Sequence, residues 1–225
     1  MQKSYYRWIS VILIPLLSIS ILAKLANASE NYPSQWWKPF PRDQAASWEV
    51  LPQDAGAGEV VLSKRGELGV FSNLGEAWFD FEGVRYASVE ALWQSMKYPD
   101  PQWPQDPRHG HSAWPMDRQQ VYLLSMWAAK TAGDQANEIM KNEKFTLVSY
   151  KGHAFDYKDM AEGSEFHYNL IFAATVEKIM QNPELKQLLL KTKGLILIPD
   201  HHVANGKPKS YYYNKILMQI RDQLL

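Results

Sequence analysis

Hydrophobic residues in most of this chain recur at the three- and four-residue spacing of an amphipathic helix. The clearest case lies near the carboxyl end, where Ile216, Leu217, Ile220 and Leu224 share one stripe. Capping residues, prolines and glycines mark the ends of the other helical segments. The pattern predicts helices over residues 88–97, 117–130, 134–142, 165–180 and 183–193, followed by a closing helix.

Strand signals are few and short. Residues 60–62 and 79–81 have the character of strands, and Glu82-Gly83 predicts a turn into a return strand over residues 84–86. Residues 195–198 form an apolar run that is typical of one buried strand. We therefore expect an α+β fold, mostly helical, built as a single compact domain with a few short strands.

The first 28 residues have the order of a secretory signal peptide. Lys3 and Arg7 precede the uncharged residues 8–23, and the small residues of Ala26-Asn27-Ala28 follow. The uncharged run is shorter than the roughly 20 residues of a spanning helix. We expect cleavage and export, to a periplasm or out of the cell. The alternative is an uncleaved N-terminal anchor, which Lys24 between the apolar run and the cleavage site keeps open.

Two segments are rich in proline and tryptophan. Residues 29–58 show no apolar period and are interpreted as an extended N-terminal arm that packs by its aromatic residues. Residues 99–115 include five prolines and two tryptophans, which excludes a helix or a central strand there. We interpret this second segment as a surface loop inserted into a domain that spans residues 59–225.

The amino-acid composition excludes several classes of catalytic and binding site. The chain has no cysteine, which excludes disulfides, thiol nucleophiles and Cys-ligated metals within it. Its 24 Lys+Arg residues balance 24 Asp+Glu residues, so there is no basic footprint for nucleic acid. The paired histidines at 109/111 and 201/202 lack the spacing of a zinc site. No phosphate loop or dinucleotide fingerprint is present, and we expect neither a metal nor a cofactor.

One predicted helix carries an unusual face. Glu90, Trp93, Gln94 and Lys97 stand at positions i, i+3, i+4 and i+7 and therefore share one side of the helix. A core stripe is ordinarily apolar, whereas this one combines a carboxylate, an indole, a carboxamide and an ammonium. Such a set could hold a heterocycle and a phosphorylated sugar. The simpler alternative is a surface Glu–Gln pair beside a core tryptophan.

Residues 69–98 resemble the signature of the NADAR superfamily, also called YbiA-like proteins. The family pattern is F-S-N-F, then D/E-G, then E-H followed by Q-x-x-K. Here Phe71-Ser72-Asn73-Leu74 corresponds to the first block, Glu82-Gly83 to the second, and Glu90, Gln94 and Lys97 to the third. A weaker resemblance continues to the end of the chain, through the segment after Asn182-Pro183 and through Asn214 before Arg221.

The chain departs from the family pattern in three places. Ala91 stands where the family has His, and the W-G-x-G block expected before the final Asn is absent. The tryptophan in the middle of the family domain falls near Tyr157. These departures affect residues associated with the family's activity.

The resemblance implies a YbiA-like fold and an N-glycosidase that hydrolyses a ribose–base bond, in an ADP-ribosylated base or a related ribosylated nucleotide metabolite. It implies Glu90 as the catalytic carboxylate, because bond cleavage develops positive charge at C1′. It further implies substrate-binding roles. Asn73 and Gln94 would contact ribose hydroxyls or base edges, Phe71 or Trp93 would stack on the base, and Lys97 would bind a phosphate. The residues expected to bind are Phe71, Ser72, Asn73, Trp93, Gln94, Lys97, Tyr157 and Asn214.

Two further possibilities remain open at this stage. Asp200, beside His201 and His202 after the last predicted strand, is the candidate for a second catalytic carboxylate. Alternatively, a family member without the W-G-x-G block has lost catalysis and binds a nucleotide-like ligand or a protein partner. The expected partner is a small nucleotide-like molecule or ADP-ribosylated base, or a protein if catalysis has been lost. Any membrane contact runs through the N-terminal segment alone.

Overall fold

A computed structural model describes residues 32–159 and 162–225. The segment interpreted as a signal peptide, residues 1–28, lies outside the described residues. Within them the fold is α+β and mostly helical, as the hydrophobic pattern predicts. The α-helices are α1 (Val89–Ser95), α2 (Arg118–Tyr122), α3 (Met126–Asn142), α4 (Glu162–Gln181), α5 (Pro183–Lys191) and α6 (Tyr213–Gln223). None of these combines the length and apolar character needed to cross a membrane.

In the described residues the strands are three residues each and form three separate pairs. β1 (Glu59–Val61) pairs in parallel with β6 (Ile196–Ile198), which joins the start of the domain to its last third. β2 (Phe79–Phe81) and β3 (Val84–Tyr86) form one antiparallel hairpin. β4 (Val148–Tyr150) and β5 (His153–Phe155) form another. Short 3₁₀ turns at Ser34–Trp37, Arg42–Gln44, Pro52–Asp54, Glu67–Phe71 and Lys209–Tyr211 complete the regular structure.

The prediction of one helix over residues 117–130 and another over 134–142 is wrong. The chain instead forms the short α2, a break, and then the continuous α3. Met126 has φ of +51°, a left-handed conformation that interrupts any α-helix running through it. Contacts from elsewhere hold the break, since Leu124 O accepts a hydrogen bond from Ser88 Oγ and the Met126 amide donates to Leu74 O.

The β4–β5 hairpin is absent from the sequence prediction. Its turn places Lys151 at φ +48° and Gly152 at φ +80°, the paired left-handed conformations of a two-residue hairpin turn. Lysine is uncommon at such a position, so the turn lacks its usual Asn-Gly or Asp-Gly signal. The run over residues 195–198 does form β6, although Ile196 is half-exposed rather than buried.

Helix α1 lies at the centre of the domain. It packs against α2, α3 and α4. Leu92 and Met96 on its inner face are fully buried in a core shared with Ile171 of α4 and Leu217 of α6. The polar face of α1 is thereby oriented toward the space between the 72–74 segment and α4.

The two Pro/Trp-rich segments are more firmly packed than their composition suggests. In the arm, Trp36 is buried and its Nε1 donates to the Glu67 carboxylate. The 99–115 segment has neither helix nor strand, as its prolines predict, yet Arg108 in it is only 1% exposed. Arg108 holds Asp106 by two hydrogen bonds of 2.7 Å, and the neighbouring Asp100 pairs with Arg118. Buried charges therefore anchor this loop to the domain.

Candidate functional site

A cavity of about 310 Å³ opens beside the polar face of α1. We call it the Glu90 cavity. Its walls come from the 72–74 segment, α1, α3, α4 and the chain around residues 201–213. It is lined by Lys64, Ser72, Asn73, Leu74, Glu90, Trp93, Lys130, His167, Ile171, His201, Ser210, Tyr211 and Tyr213.

The first turn of α1 fixes the position of Glu90. Ser88 caps the helix, with its side-chain oxygen accepting from the Ala91 amide at 3.0 Å. The Glu90 amide, which has no partner within the helix, donates to Asn73 O at 2.9 Å. These bonds place the carboxylate on the cavity wall beside the 72–74 segment.

Two neighbours on α1 act on the Glu90 carboxylate. Burial raises its pKa above the usual range, while a 2.6 Å hydrogen bond from Gln94 Nε2 and the charge of Lys97 oppose that rise. The net pKa of Glu90 is raised. A carboxylate with a raised pKa is a stronger base than an exposed carboxylate. Perturbed pKa values of groups in clefts are typical of functional sites.

Trp93 forms the aromatic wall of the cavity. The His167 ring lies 4.2 Å from it at 31°, and the Tyr157 ring meets it edge-on at 4.7 Å. The Lys97 ammonium lies 5.0 Å from the indole centroid. Tyr157 thus supports Trp93 and does not itself line the Glu90 cavity.

Lys97 lies beneath this wall and is only 3% exposed. Burial lowers its pKa to about 8, although the Glu90 carboxylate opposes the change. None of the ion pairs among the described residues includes Lys97, and Lys97 is not among the residues that line the cavity. Its position suits an electrostatic action on Glu90 better than contact with a phosphate.

Gln94 is held against a glycine of the neighbouring helix. A Cβ atom on Gly133 of α3 would lie 2.0 Å from Gln94 Oε1. Gly133 therefore provides the space in which the carboxamide turns its nitrogen toward Glu90. Gln94 is 5% exposed and binds Glu90, so it orients the carboxylate from outside the cavity lining.

Asp200 has its oxygens occupied by neighbours. Lys64 forms an ion pair with Oδ2, while His201 Nδ1 and Tyr213 Oη lie 3.0 and 3.2 Å from Oδ1. Burial raises the Asp200 pKa, but the hydrogen bonds from His201 and Lys64 outweigh it, and the net pKa is lowered. Asp200 is 1% exposed and lies outside the cavity lining, whereas its three partners are part of it.

Two of the expected binding residues lie farther from the cavity. The Phe71 side chain is packed in the hydrophobic core. Asn214 Nδ2 donates to Leu197 O at 2.8 Å and ties α6 to β6. Ser72 and Asn73, in contrast, line the cavity together with Glu90 and Trp93.

Several lining residues could not be expected from the local sequence. Lys64 and Lys130 are the lysines on the wall, and they come from segments far apart in the chain. His167 is buried on α4, where burial and then the charge of Lys97 lower its pKa to about 3, so its ring is neutral. Its Nδ1 lies 3.1 Å from Ser210 Oγ. Only the tertiary structure joins these residues, and no motif signals them.

In the part of the chain that the structure describes, no three His, Asp or Glu residues lie close enough together to bind a metal ion. The chemistry available at the Glu90 cavity is that of a carboxylate, two lysines, an indole, two imidazoles, two phenols and the hydroxyl and amide groups of Ser72, Asn73 and Ser210.

Comparison with known proteins returns one distant structural likeness. An NMR structure of the E. coli protein YbiA is 16% identical, covers 76% of this chain and 88% of that chain, and gives a TM-score of 0.47. No protein-family model and no curated protein sequence matches the chain. A likeness at this level assigns neither an activity nor a site residue.

Proposed function

We propose that this protein is an N-glycosidase that hydrolyses a ribose–base bond in an ADP-ribosylated base or a related ribosylated nucleotide metabolite. The observation that carries the proposal is the position of Glu90. Its carboxylate has a raised pKa and stands on the wall of a cavity whose 310 Å³ is within the range of small-molecule sites.

The reaction is a displacement at the ribose C1′ atom. The bond from C1′ to the base nitrogen breaks and its electron pair leaves with the base, which takes a proton from water. Positive charge then develops at C1′ and is stabilised by the ionised Glu90 carboxylate. A water molecule attacks C1′ and gives its proton to Glu90, whose raised pKa makes it the better acceptor. Glu90 then passes this proton to the hydroxide left when the base was protonated, which regenerates the carboxylate.

The remaining walls suit the other parts of such a substrate. Trp93 offers an aromatic surface to the base, and Ser72 and Asn73 offer polar groups to the ribose. Lys64 and Lys130 are the cations on the wall that could meet a phosphate. The resemblance of residues 69–98 to the NADAR signature supports the same chemistry.

We also propose that the protein acts after export, on the strength of the order of residues in positions 1–28. An exported enzyme is better suited to removing adducts or to scavenging than to a biosynthetic step in the cytosol. Mass determination of the N-terminus, after expression of the full chain in a bacterial host, tests this point. We expect Ser29 as the first residue, and a chain that keeps residues 1–28 would favour the anchor.

A second candidate is a binding module that has lost catalysis. Glycosidases commonly use two carboxylates, and within the described residues Glu90 is the one carboxylate on the cavity wall. Asp200 is engaged by Lys64, His201 and Tyr213. The absent W-G-x-G block points the same way. The ligand would then be a nucleotide-like molecule held by the same cavity.

Mass-spectrometric detection of released base separates the two candidates. The full chain is expressed, purified and incubated with ADP-ribosylated guanosine, ADP-ribosylated DNA, or a pyrimidine ribosylamine phosphate. The enzyme releases free base, and Glu90→Gln does not. A binding module is stabilised against heat by ADP-ribose or by the ribosylamine phosphate but releases nothing. If the folded protein shows no base release and no stabilisation against heat, both candidates are contradicted.

A further inference from the structure

Lys178 is a fully buried lysine that neither the sequence motifs nor the proposed reaction uses. It lies near the end of α4 and is only 2% exposed. Burial alone lowers its pKa to about 7. Among residues 32–159 and 162–225 no carboxylate pairs with it. A buried ammonium without a counterion lowers stability unless every N–H finds an acceptor.

The ammonium of Lys178 finds its acceptors in one short segment. It donates to the carbonyl oxygens of Val70, Ser72 and Gly75 at 2.7, 3.0 and 3.2 Å. An ammonium has three N–H groups, so each serves one carbonyl of the 70–75 segment. This segment belongs to no sheet and, beyond Phe71, to no helix. Apart from the bond between Ser72 O and the Gly75 amide, its carbonyls therefore depend on partners from outside the segment.

The same segment is the wall that positions Glu90. Its other two carbonyls beyond Phe71 are bound by helix amides, since Asn73 O accepts from the Glu90 amide and Leu74 O from the Met126 amide. Ser72 and Asn73 line the Glu90 cavity. The 70–75 segment thus connects α4, α1 and α3 at the site, and Lys178 supplies three of these connections.

A tight turn makes that connection necessary. The Gly75 backbone comes so close to Val70 that a Cβ atom there would lie 2.5 Å from Val70 O. This folding back turns carbonyls toward α4, where the Lys178 ammonium donates to three of them, and Ser72 O accepts in addition from the Gly75 amide at 2.9 Å.

We propose that Lys178 is a positioning residue for the Glu90 cavity, which fixes the 70–75 segment so that Asn73 holds the first turn of α1 and Glu90 with it. A methionine of similar length would fill the same space without the cost of a buried charge. The use of lysine here indicates that the carbonyl contacts, and not packing, determine the residue. This role of Lys178 rests on the proposed function only where the rate of base release is measured.

Amide hydrogen exchange in the full chain tests the proposal at single residues. The variant Lys178→Met removes all three donors and keeps the apolar stem. Lys178→Gln keeps two N–H donors on a shorter side chain. The control is Thr175→Val, one turn earlier on the same helix, which removes a buried hydroxyl whose hydrogen bond goes to Ile171 O of the same helix and not to the 70–75 segment.

We expect Lys178→Met to speed exchange of the Ser72, Gly75 and Glu90 amides at least tenfold relative to Thr175→Val. The amide of Ala136, in the core of α3, is expected to exchange as in the unaltered chain. Lys178→Gln should restore part of the protection. If the unaltered protein releases base, the rate of release should fall at least tenfold in Lys178→Met and partly recover in Lys178→Gln.

Three results would overturn the assignment. One is unchanged exchange at the three amides, and another is faster exchange by the same factor throughout the chain. The third is failure of both Lys178 variants to fold, which would make Lys178 a purely structural residue. If the unaltered chain releases no base, the proposed function fails, while the exchange pattern still decides the role of Lys178.

Discussion

Gln94 Nε2 donates a 2.6 Å hydrogen bond to Glu90 Oε1, one turn earlier on the same helix. The bond uses one carboxylate oxygen and leaves the rest of the group for the cavity. Gln94 is itself placed by the absence of a side chain at Gly133 on the neighbouring helix. The candidate catalytic group therefore depends on close packing between α1 and α3.

Replacing Gly133 by alanine is expected to disturb Glu90 through this contact. A Cβ atom at Gly133 would lie 2.0 Å from Gln94 Oε1, which forces the carboxamide away from the carboxylate. Overpacking of this kind costs about 1–3 kcal/mol of unfolding free energy, against the gain of about 1 kcal/mol that alanine brings to a helix. Urea unfolding measures the net loss, and base release should fall in parallel.

Gly66→Ala is the matched control for Gly133→Ala. Gly66 has an extended backbone, and a Cβ atom there meets no atom within 4 Å. Its substitution should leave both stability and activity close to those of the unaltered chain. Equal effects of the two substitutions would contradict the role assigned to the contact with Gln94.

Glu90→Gln is expected to make the protein more stable above the folded-state pKa of Glu90. Because burial raises that pKa, the native state holds a proton that the unfolded chain has released in the window above pH 4.5. Stability therefore falls as the pH rises through this window, and the neutral Gln avoids that loss. Thermal unfolding at pH 8 should show the gain, and unfolding at pH 4 should show none. A variant that is less stable at pH 8 would contradict the raised pKa.

Lys97→Met is expected to shift the pH dependence of base release. The Lys97 ammonium lowers the Glu90 pKa, so its removal raises that pKa further and moves the acid limb of the profile to higher pH. Lys141→Met, on the exposed end of α3, is the control. If Lys97 instead contacts a phosphate, KM rises and the profile stays in place.

Asp106→Asn tests whether the 99–115 loop is part of the folded core. The substitution leaves the buried Arg108 without its charged partner and is expected to cost about 3–5 kcal/mol in urea unfolding. Burial raises the Asp106 pKa, but the Arg108 side chain and the backbone amides of Asp100 and Arg108 together outweigh burial, and the net pKa is lowered. The contribution is therefore present above pH 3.8 and is lost as the pH falls through the folded-state pKa.

The exposed pair of Asp80 and Arg85 provides the comparison. Both side chains are more than half exposed, so Asp80→Asn should cost less than about 1 kcal/mol. Similar losses for the Asp106 and Asp80 variants would show that the loop is dispensable, as expected of a solvated insertion.

The sequence predicts best those features that depend on neighbours along the chain. The Ser88 cap and the shared face of Glu90, Trp93 and Gln94 follow from spacing within one helix, and all are present. The break before α3 does not follow in this way, because it is stabilised by hydrogen bonds with distant parts of the chain, one donated by Ser88 Oγ and one accepted by Leu74 O.

The cavity itself illustrates the same limit. Lys64, Lys130 and His167 come from three separate segments and meet only in the tertiary structure. Lys97 matches a motif position, yet its depth below Trp93 follows from how α1 packs against its neighbours and not from its spacing. A sequence pattern therefore identifies which residue types are available to the site, while packing decides which of them reach the cavity.

The most direct test of the account is the rate of base release by Glu90→Gln beside Glu138→Gln, at pH 7 on ADP-ribosylated guanosine. Glu138 is an exposed glutamate on α3 that does not line the cavity. The account predicts that the Glu90 variant loses about 10²-fold or more of the rate while remaining folded, and that the Glu138 variant retains it. Equal rates in the two variants and the unaltered chain would contradict Glu90 as the essential carboxylate.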